Sequence, residues 1–198
     1  MIGSMKRLKG SDLTIGLGAL LIAAIIISAI AAAVSTREHE NKLWRTQMDN
    51  YSLVLAEHTY QVMVSAYGAL DSISERVNSA GAQSPESFRE RLGTGQINKM
   101  LKDKVELLPQ VDVATVVASN GDVINFTRSF PPPPINLSDR DYFKRHAASA
   151  HAGNYLSNSV QNKGNGKWVF YISRRIDDSK GNMLGLVLVG ISVEAFTR

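Results

Sequence analysis

Hydrophobic and polar positions divide the chain into three textures. Leu13–Val34 is 22 residues without a charge. At 1.5 Å per residue a helix of that length spans about 33 Å, close to the hydrocarbon thickness of a bilayer. The run exceeds the 7–15 apolar residues usual for a signal peptide, so we read it as a retained transmembrane helix. Cleavage after the small residues Ala31-Ala32-Ala33 is the alternative, and it would release a soluble secreted binding protein. From Glu38 to Ser79 there is no proline and one glycine, Gly68. Leu43, Met48, Tyr51, Leu55, Val62, Ala66, Ala69, Ile73 and Val77 recur there at steps of three, four and seven, the stripe of one helix face. Polar Asn50, Glu57, Gln61, Asp71 and Glu75 fill the other faces. This predicts a long amphipathic helix over 35–79, packed on its own domain, on a twin helix in a homodimer, or on both in different halves.

The remainder, 80–198, reads as one domain with its strands toward the C-terminus. Ser84-Pro85-Glu86 opens a short helix with proline at the first helical position. Thr94 caps a second that runs toward Leu107, and Pro109 ends it. Val111–Ala118 is β-branched and apolar. Asn120-Gly121 is a hairpin turn, and Val123–Thr127 is the return strand. Pro131–Pro134 forms an extended connector. Ser138 opens a helix through a relaxed capping box, Ser138-Asp139-Arg140-Asp141. Tyr155–Gln161, Trp168–Ile176 and Met183–Val193 are strands, with turns at Lys163–Lys167 and Asp177–Asn182. The sum is an α+β architecture, helices layered on an antiparallel sheet of about five strands.

Charge and composition change this picture little. The chain of 198 residues is 44% hydrophobic and 20% charged, with a net charge of +4. Lys6, Arg7 and Lys9 lie in a short tail, 1–12, ahead of the apolar run, so the excess is partly a membrane-flank effect. No nucleic-acid partner is expected, since that requires a clustered basic face. Arg37, Lys42 and Arg45 follow the run, so a bare count of basic residues ties. The compactness of the first group favours a cytoplasmic N-terminus and an exported C-terminal domain. Cysteine is absent, which excludes disulfides, thiolate metal sites and cysteine nucleophiles. No catalytic or metal motif occurs, and no cofactor is expected. Asn125 and Asn136 head formal glycosylation sequons.

Candidate chemistry concentrates in Ser138–His146 (SDRDYFKRH) and Gly166–Ile176 (GKWVFYISRRI). Guanidinium forks suit carboxylates or phosphates, and aromatic walls add apolar surface. A competing structural reading pairs Arg174 and Arg175 with Asp139, Asp141 or Asp177. Strand alternation puts Trp168, Phe170, Ile172 and Arg174 on one face and Val169, Tyr171, Ser173 and Arg175 on the other. The second set carries more hydrogen-bonding groups and is the candidate pocket face.

The order of these features resembles the double Cache (PDC-like) extracytoplasmic sensor domain found ahead of diguanylate cyclases and sensor histidine kinases. These features are the anchor, the long helix, the Asn120-Gly121-Asp122 hairpin, DRDYF with its histidine, SRR and an apolar strand ending near Glu194-Ala195-Phe196. The resemblance covers essentially the whole chain. It implies a PAS-like distal lobe that binds a small anionic or zwitterionic metabolite, and a parallel dimer through the long helix. The chain's own apolar run makes it a single-pass protein of the bacterial inner membrane, and no enzymatic activity is expected in these residues. Carried onto this sequence, the ligand-side residues are Arg140, Tyr142 and His146, with Tyr171, Ser173 and Arg175. The amino-acid-binding subgroup has Trp-Tyr after its arginine; Asp141-Tyr142-Phe143 follows Arg140 here. The family continues into a proximal lobe, a second span and an output domain, so the chain is expected to be the N-terminal piece of a longer receptor or a truncated reading frame.

Overall fold

The structure, a computed structural model, describes residues 10–196. Lys6, Arg7 and Lys9 of the expected tail lie outside the described residues. The chain divides into two compact units, Met1–Val54 and Leu55–Arg198.

One helix, α1 (Gly10–Ser79), runs through both units. Its N-terminal part is long and apolar enough to cross a membrane, and none of the side chains described there is buried in the protein. The predicted stripe splits in two. Leu43, Met48, Tyr51 and Leu55 are exposed, whereas Val62, Ala66, Ala69, Ile73 and Val77 are buried. Only the latter half has a sheet beneath it.

The second unit is a six-stranded antiparallel sheet with helices on both faces. The strands are β1 (Val111–Ala118), β2 (Val123–Phe126), β3 (Tyr155–Leu156), β4 (Val160–Gln161), β5 (Trp168–Asp177) and β6 (Met183–Ser192). Their order is β2-β1-β6-β5-β3, with β4 also pairing β5. The last strand thus lies beside the first, at the centre. Central position explains the unbroken apolar run of β6: eight of its residues, Leu184–Ile191, are buried because both faces are covered.

On one face, Val62–Val77 of α1 joins α2 (Pro85–Leu92) and α3 (Gly95–Val105) over Ala114, Val116, Ile172, Val187 and Val189. Phe88 and Leu92 of α2 are fully buried there, each stabilising by about 1.5–3 kcal/mol. Both helices start as their caps predict. The Ser84 hydroxyl accepts from Ser87 N, and the Ser87 hydroxyl accepts from Ser84 N. Thr94 accepts from Ile97 N. The helix opened by Thr94 stops at Val105, short of Leu107. On the other face, α4 (Asp141–Ala148) and the 126–137 loop cover Val113, Val117, Val169, Leu186 and Leu188.

Two local expectations are corrected. Tyr155–Gln161 is not one strand but two residue pairs, β3 and β4, which raises the strand total to six. Between them the Ser157 hydroxyl accepts from Tyr171 N, in place of a ladder bond. The helix after Ser138 begins at Asp141 with Arg140 at its N-cap and no side-chain cap bond. Ser138 instead donates through both its N–H and its hydroxyl to the Asn136 side chain. Asn125 is fully buried and gives both amide hydrogens to the Leu92 and Thr94 carbonyls, so that sequon is sealed in the fold.

Candidate ligand site

The predicted alternation of β5 holds. Phe170, Ile172 and Ile176 enter the core beneath α1, while Val169 and Tyr171 enter the core beneath α4. The six candidate residues therefore come together on one face, where α4 crosses β5. The Tyr142 and Tyr171 rings stand 5.3 Å apart, tilted by 55°. One turn along α4, His146 Nε2 lies 2.9 Å from the Ser173 hydroxyl. Arg175 reaches back to the His146 carbonyl at 2.7 Å.

The row has two ends of different character. At the His146 end the hydrogen-bonding groups, His146 Nδ1 excepted, are occupied by the protein itself. Arg175 donates to Asp177, His146 and Gly181, which engages all three of its nitrogens. Ser173 gives its proton to the Tyr155 carbonyl, so its oxygen accepts from His146 Nε2. Nδ1 is then the bare nitrogen, buried and without a hydrogen-bond partner. Burial, foremost, and the Arg175 charge hold the His146 pKa below its ordinary value. The imidazole is neutral at pH 7.

The Tyr171 end is open. A cavity of about 20 Å³ lies beside its ring, room for about one water. Val113, Phe126 and Leu137 supply apolar wall; Thr115, Asn162 and Lys163 supply the polar groups. Of the six predicted residues, Tyr171 alone lines this cavity, and Tyr142 stacks behind it. Burial pushes the Tyr171 hydroxyl up to about 12, and the nearby Arg128 and Arg140 charges oppose that rise. Burial likewise raises Tyr142.

Loops border the cavity as a lid. Lys163 Nζ binds Asp139 at 2.8 Å and the Asn136 carbonyl at 2.9 Å. Arg140 Nη2 binds the Gln161 carbonyl at 2.9 Å. The 162–167 turn is thereby clipped to the segment leading into α4. Asp141 adds a second clip, accepting from Asn158 N at 3.1 Å. Two guanidinium nitrogens beside this lid are buried without partners: Arg140 Nε and Arg128 Nη1. Arg128 Nη2 pairs with Asp112.

Arg128, Asn162 and Lys163 are absent from the sequence-predicted set. Arg128 stands alone between a strand and a proline run, Lys163 opens a stretch read as a plain turn, and Asn162 lies between that turn and the strand before it. Their convergence depends on the loops that follow β2 and β4 reaching over the same face of the sheet, which no local pattern encodes. Among the described residues no cluster of His, Asp or Glu is arranged to hold a metal ion.

No protein-family model matches the sequence, and no curated relative matches it. Solved structures do. The extracellular domain assigned to a histidine kinase, rpHK1S-Z16, aligns with a TM-score of 0.63 at 27% identity, over 78% of this chain and 60% of its own. The ligand-binding domain of Campylobacter jejuni chemoreceptor Tlp3, in complex with 4-methylisoleucine, aligns at 0.49 and 13%, over 74% and 61%. That of the Pseudomonas aeruginosa PAO1 amino acid chemoreceptor PctC, with GABA, aligns at 0.49 and 11%, over 77% and 62%. The chain spans about 60% of the length of these domains. Its fold is the Cache-like fold of extracellular sensor domains.

Proposed function

We propose that this chain is the ligand-sensing part of a bacterial membrane receptor and works by binding rather than catalysis. Leu13–Val34 crosses the inner membrane, the N-terminus is cytoplasmic, and the 80–198 lobe lies outside. The lobe binds a small anionic or zwitterionic metabolite. The observation that carries this reading is the lidded cavity beside Tyr171, with two unpartnered buried guanidinium nitrogens on arginines that touch its lid, on a fold shared with the extracellular domain of a histidine kinase.

The sheet supports a route for the signal. Tyr171 and Arg174 are three residues apart on β5 and face opposite sides. Arg174 ion-pairs with Asp71 of α1 on the far side and also holds Asn154 at 2.8 Å. A ligand that opens the lid displaces β5 and, through it, α1. Such a switch needs a ligand with different affinity for the two conformations. The exposed apolar positions Leu43, Trp44, Met48, Tyr51 and Leu55 suit a parallel homodimer that would pass the shift along. The output module, a histidine kinase or diguanylate cyclase, belongs to a longer parent chain.

The test is ligand-induced thermal stabilisation of the full chain in nanodiscs, screened against a metabolite panel and repeated with Gly164→Leu. A Cβ on Gly164 would stand 3.2 Å from Arg128 Nη1 and 3.7 Å from the Phe126 ring, so a leucine there fills the cavity from the lid. A stabilising metabolite should lose its effect. Equal stabilisation of both proteins would remove the cavity from consideration.

A further inference from the structure

His146 plays no part in the cavity beside Tyr171, and its surroundings suit only one of its protonation states. We infer that His146 is an acid-operated latch: when neutral it fastens the C-terminal turn of α4 to β5 and β3, and protonation releases that turn, so that the lobe responds to acidification as well as to a metabolite. The inference stands apart from the reading of the cavity as a ligand site.

The neutral imidazole is engaged on one side and bare on the other. Nε2–H donates to the Ser173 hydroxyl at 2.9 Å. That hydroxyl gives its own proton to the Tyr155 carbonyl at 3.1 Å. One chain of hydrogen bonds therefore joins α4, β5 and β3. Nδ1 is buried without a partner, and the whole side chain is shut off from solvent. A second proton would stand on Nδ1 with no acceptor to receive it. It would also bring a full charge into the interior, and both changes are strongly unfavourable.

Among the described residues no carboxylate is free to offset that charge. On β5, Arg175 is already a cation, and its Nη1 holds the His146 carbonyl at 2.7 Å. Asp177 favours the imidazolium, but Arg175 Nε binds it. On α4, Arg145 adds another cation, and Asp141 accepts from Tyr142 N and Asn158 N. β3 presents the edge of the Tyr155 ring, with the centroids 6.4 Å apart. β6 places only Leu186 and Leu188 opposite Arg175 and Ser173. The carbonyl end of α4 favours a cation, a small effect beside these.

The C-terminal turn is the part of α4 able to yield. Its first turn is pinned by the buried Tyr142 and Phe143 and by Arg140 on the Gln161 carbonyl. Beyond His146 the helix runs only to Ala148, and β3 is two residues long. Swinging this end outward carries His146 into water and frees Ser173 and Arg175. Arg174 lies between those two and pairs with Asp71 of α1 on the opposite face, so the released stretch of β5 is the one that meets α1.

Hydrogen exchange of the full chain in nanodiscs tests this at pH 7.5, 6.5 and 5.5, with rates corrected for the intrinsic pH dependence of exchange. Protection of the 144–149 and 155–156 amides should fall about three- to tenfold between pH 7.5 and 5.5, as expected for one proton taken up by a released histidine of pKa 6.5. Amides of α2 should not follow. His146→Gln, which cannot charge, should remove the pH dependence. An unchanged wild type, an equal fall in His146→Gln, or a fall shared evenly with α2 would each overturn the latch. If the glutamine variant melts early, the wild-type imidazole titration followed by NMR decides. His146 should gain its proton below pH 6.5 in step with the loss of protection, and a proton gained while α4 stays protected would overturn the proposal.

Discussion

Gly190→Ala is the most informative single perturbation of the cavity wall. Gly190 sits on β6 opposite Tyr171 of β5 and Val113 of β1. A Cβ there would stand 2.9 Å from Tyr171 Cε1 and 2.8 Å from Val113 Cγ1. The Tyr171 ring thus lies over the bare glycine backbone, an arrangement that compensates for glycine within a sheet. One methyl in so close a space costs about 1–3 kcal/mol in displaced neighbours. Replacing glycine within a strand returns about 0.5–1 kcal/mol of backbone entropy, so overpacking wins by about 1 kcal/mol or a little more. For a chain of this size that lowers Tm by about 3–5 °C. Thermal melts of the full chain followed by near-UV circular dichroism measure both the loss and the altered tyrosine environment. A double-mutant cycle isolates the cause. In a Tyr171→Ala background the ring is gone, so Gly190→Ala should cost markedly less. An equal cost in both backgrounds would refute the claim that the ring is what the glycine accommodates.

Other perturbations separate large from small effects. Asn125→Ala takes a donor from the Leu92 carbonyl and one of two donors from the Thr94 carbonyl, which keeps Asn98 N, and should destabilise by about 1–3 kcal/mol, read from the urea midpoint. Asp71→Asn breaks an ion pair whose partners are 53% and 31% exposed, so it should change stability by less than about 1 kcal/mol in the same assay. His146 supplies a pH dependence. Its folded pKa lies below the ordinary 6.5, with burial as the main cause. The unfolded chain therefore binds the proton first as pH falls. Stability is full above about pH 6.5 and declines below it. Urea midpoints at pH 7.5 and 5.5 should differ in that direction, and His146→Gln should narrow the gap.

The fold was legible wherever a local pattern has a single physical cause. Pro85 and Thr94 sit where their helix starts require them, and β1, β5 and β6 follow from their apolar and alternating runs. Local reading failed where a distant residue settled the matter. Ser157 takes over the Tyr171 N–H and splits one expected strand into β3 and β4. Asn136 draws Ser138 away from the helix it was expected to cap. The site shows the same division. Alternation placed Tyr171, Ser173 and Arg175 on one face, since that depends only on the pleat. It could not tell the end sealed by Arg175 from the end left open beside Tyr171. That difference arises from Asp177, Gly181 and the Lys163 lid, which the sequence places apart from the pattern.

The small size of the cavity constrains how a sensor built this way must work. A ligand that turned a 1:99 equilibrium between lid positions into 99:1 would have to prefer one state by about 5.5 kcal/mol. Apolar contact in a space of about 20 Å³ supplies little of that. Hydrogen bonds to charged groups contribute about 1.5–3 kcal/mol each, so two or three of them reach the required difference. Arg140 and Arg128 each carry one buried donor without a partner. Lys163 would provide a third by exchanging Asp139 for the ligand, and that exchange releases one of the clips on the lid. On the proposed reading, recognition and lid release are therefore one event at Lys163. Lys163→Met should uncouple them, keeping most of the affinity through Arg140 and Arg128 while abolishing any ligand-induced change in protection of the 162–167 amides. Hydrogen exchange with and without a stabilising metabolite measures that change, and an undiminished response in Lys163→Met would refute the coupling.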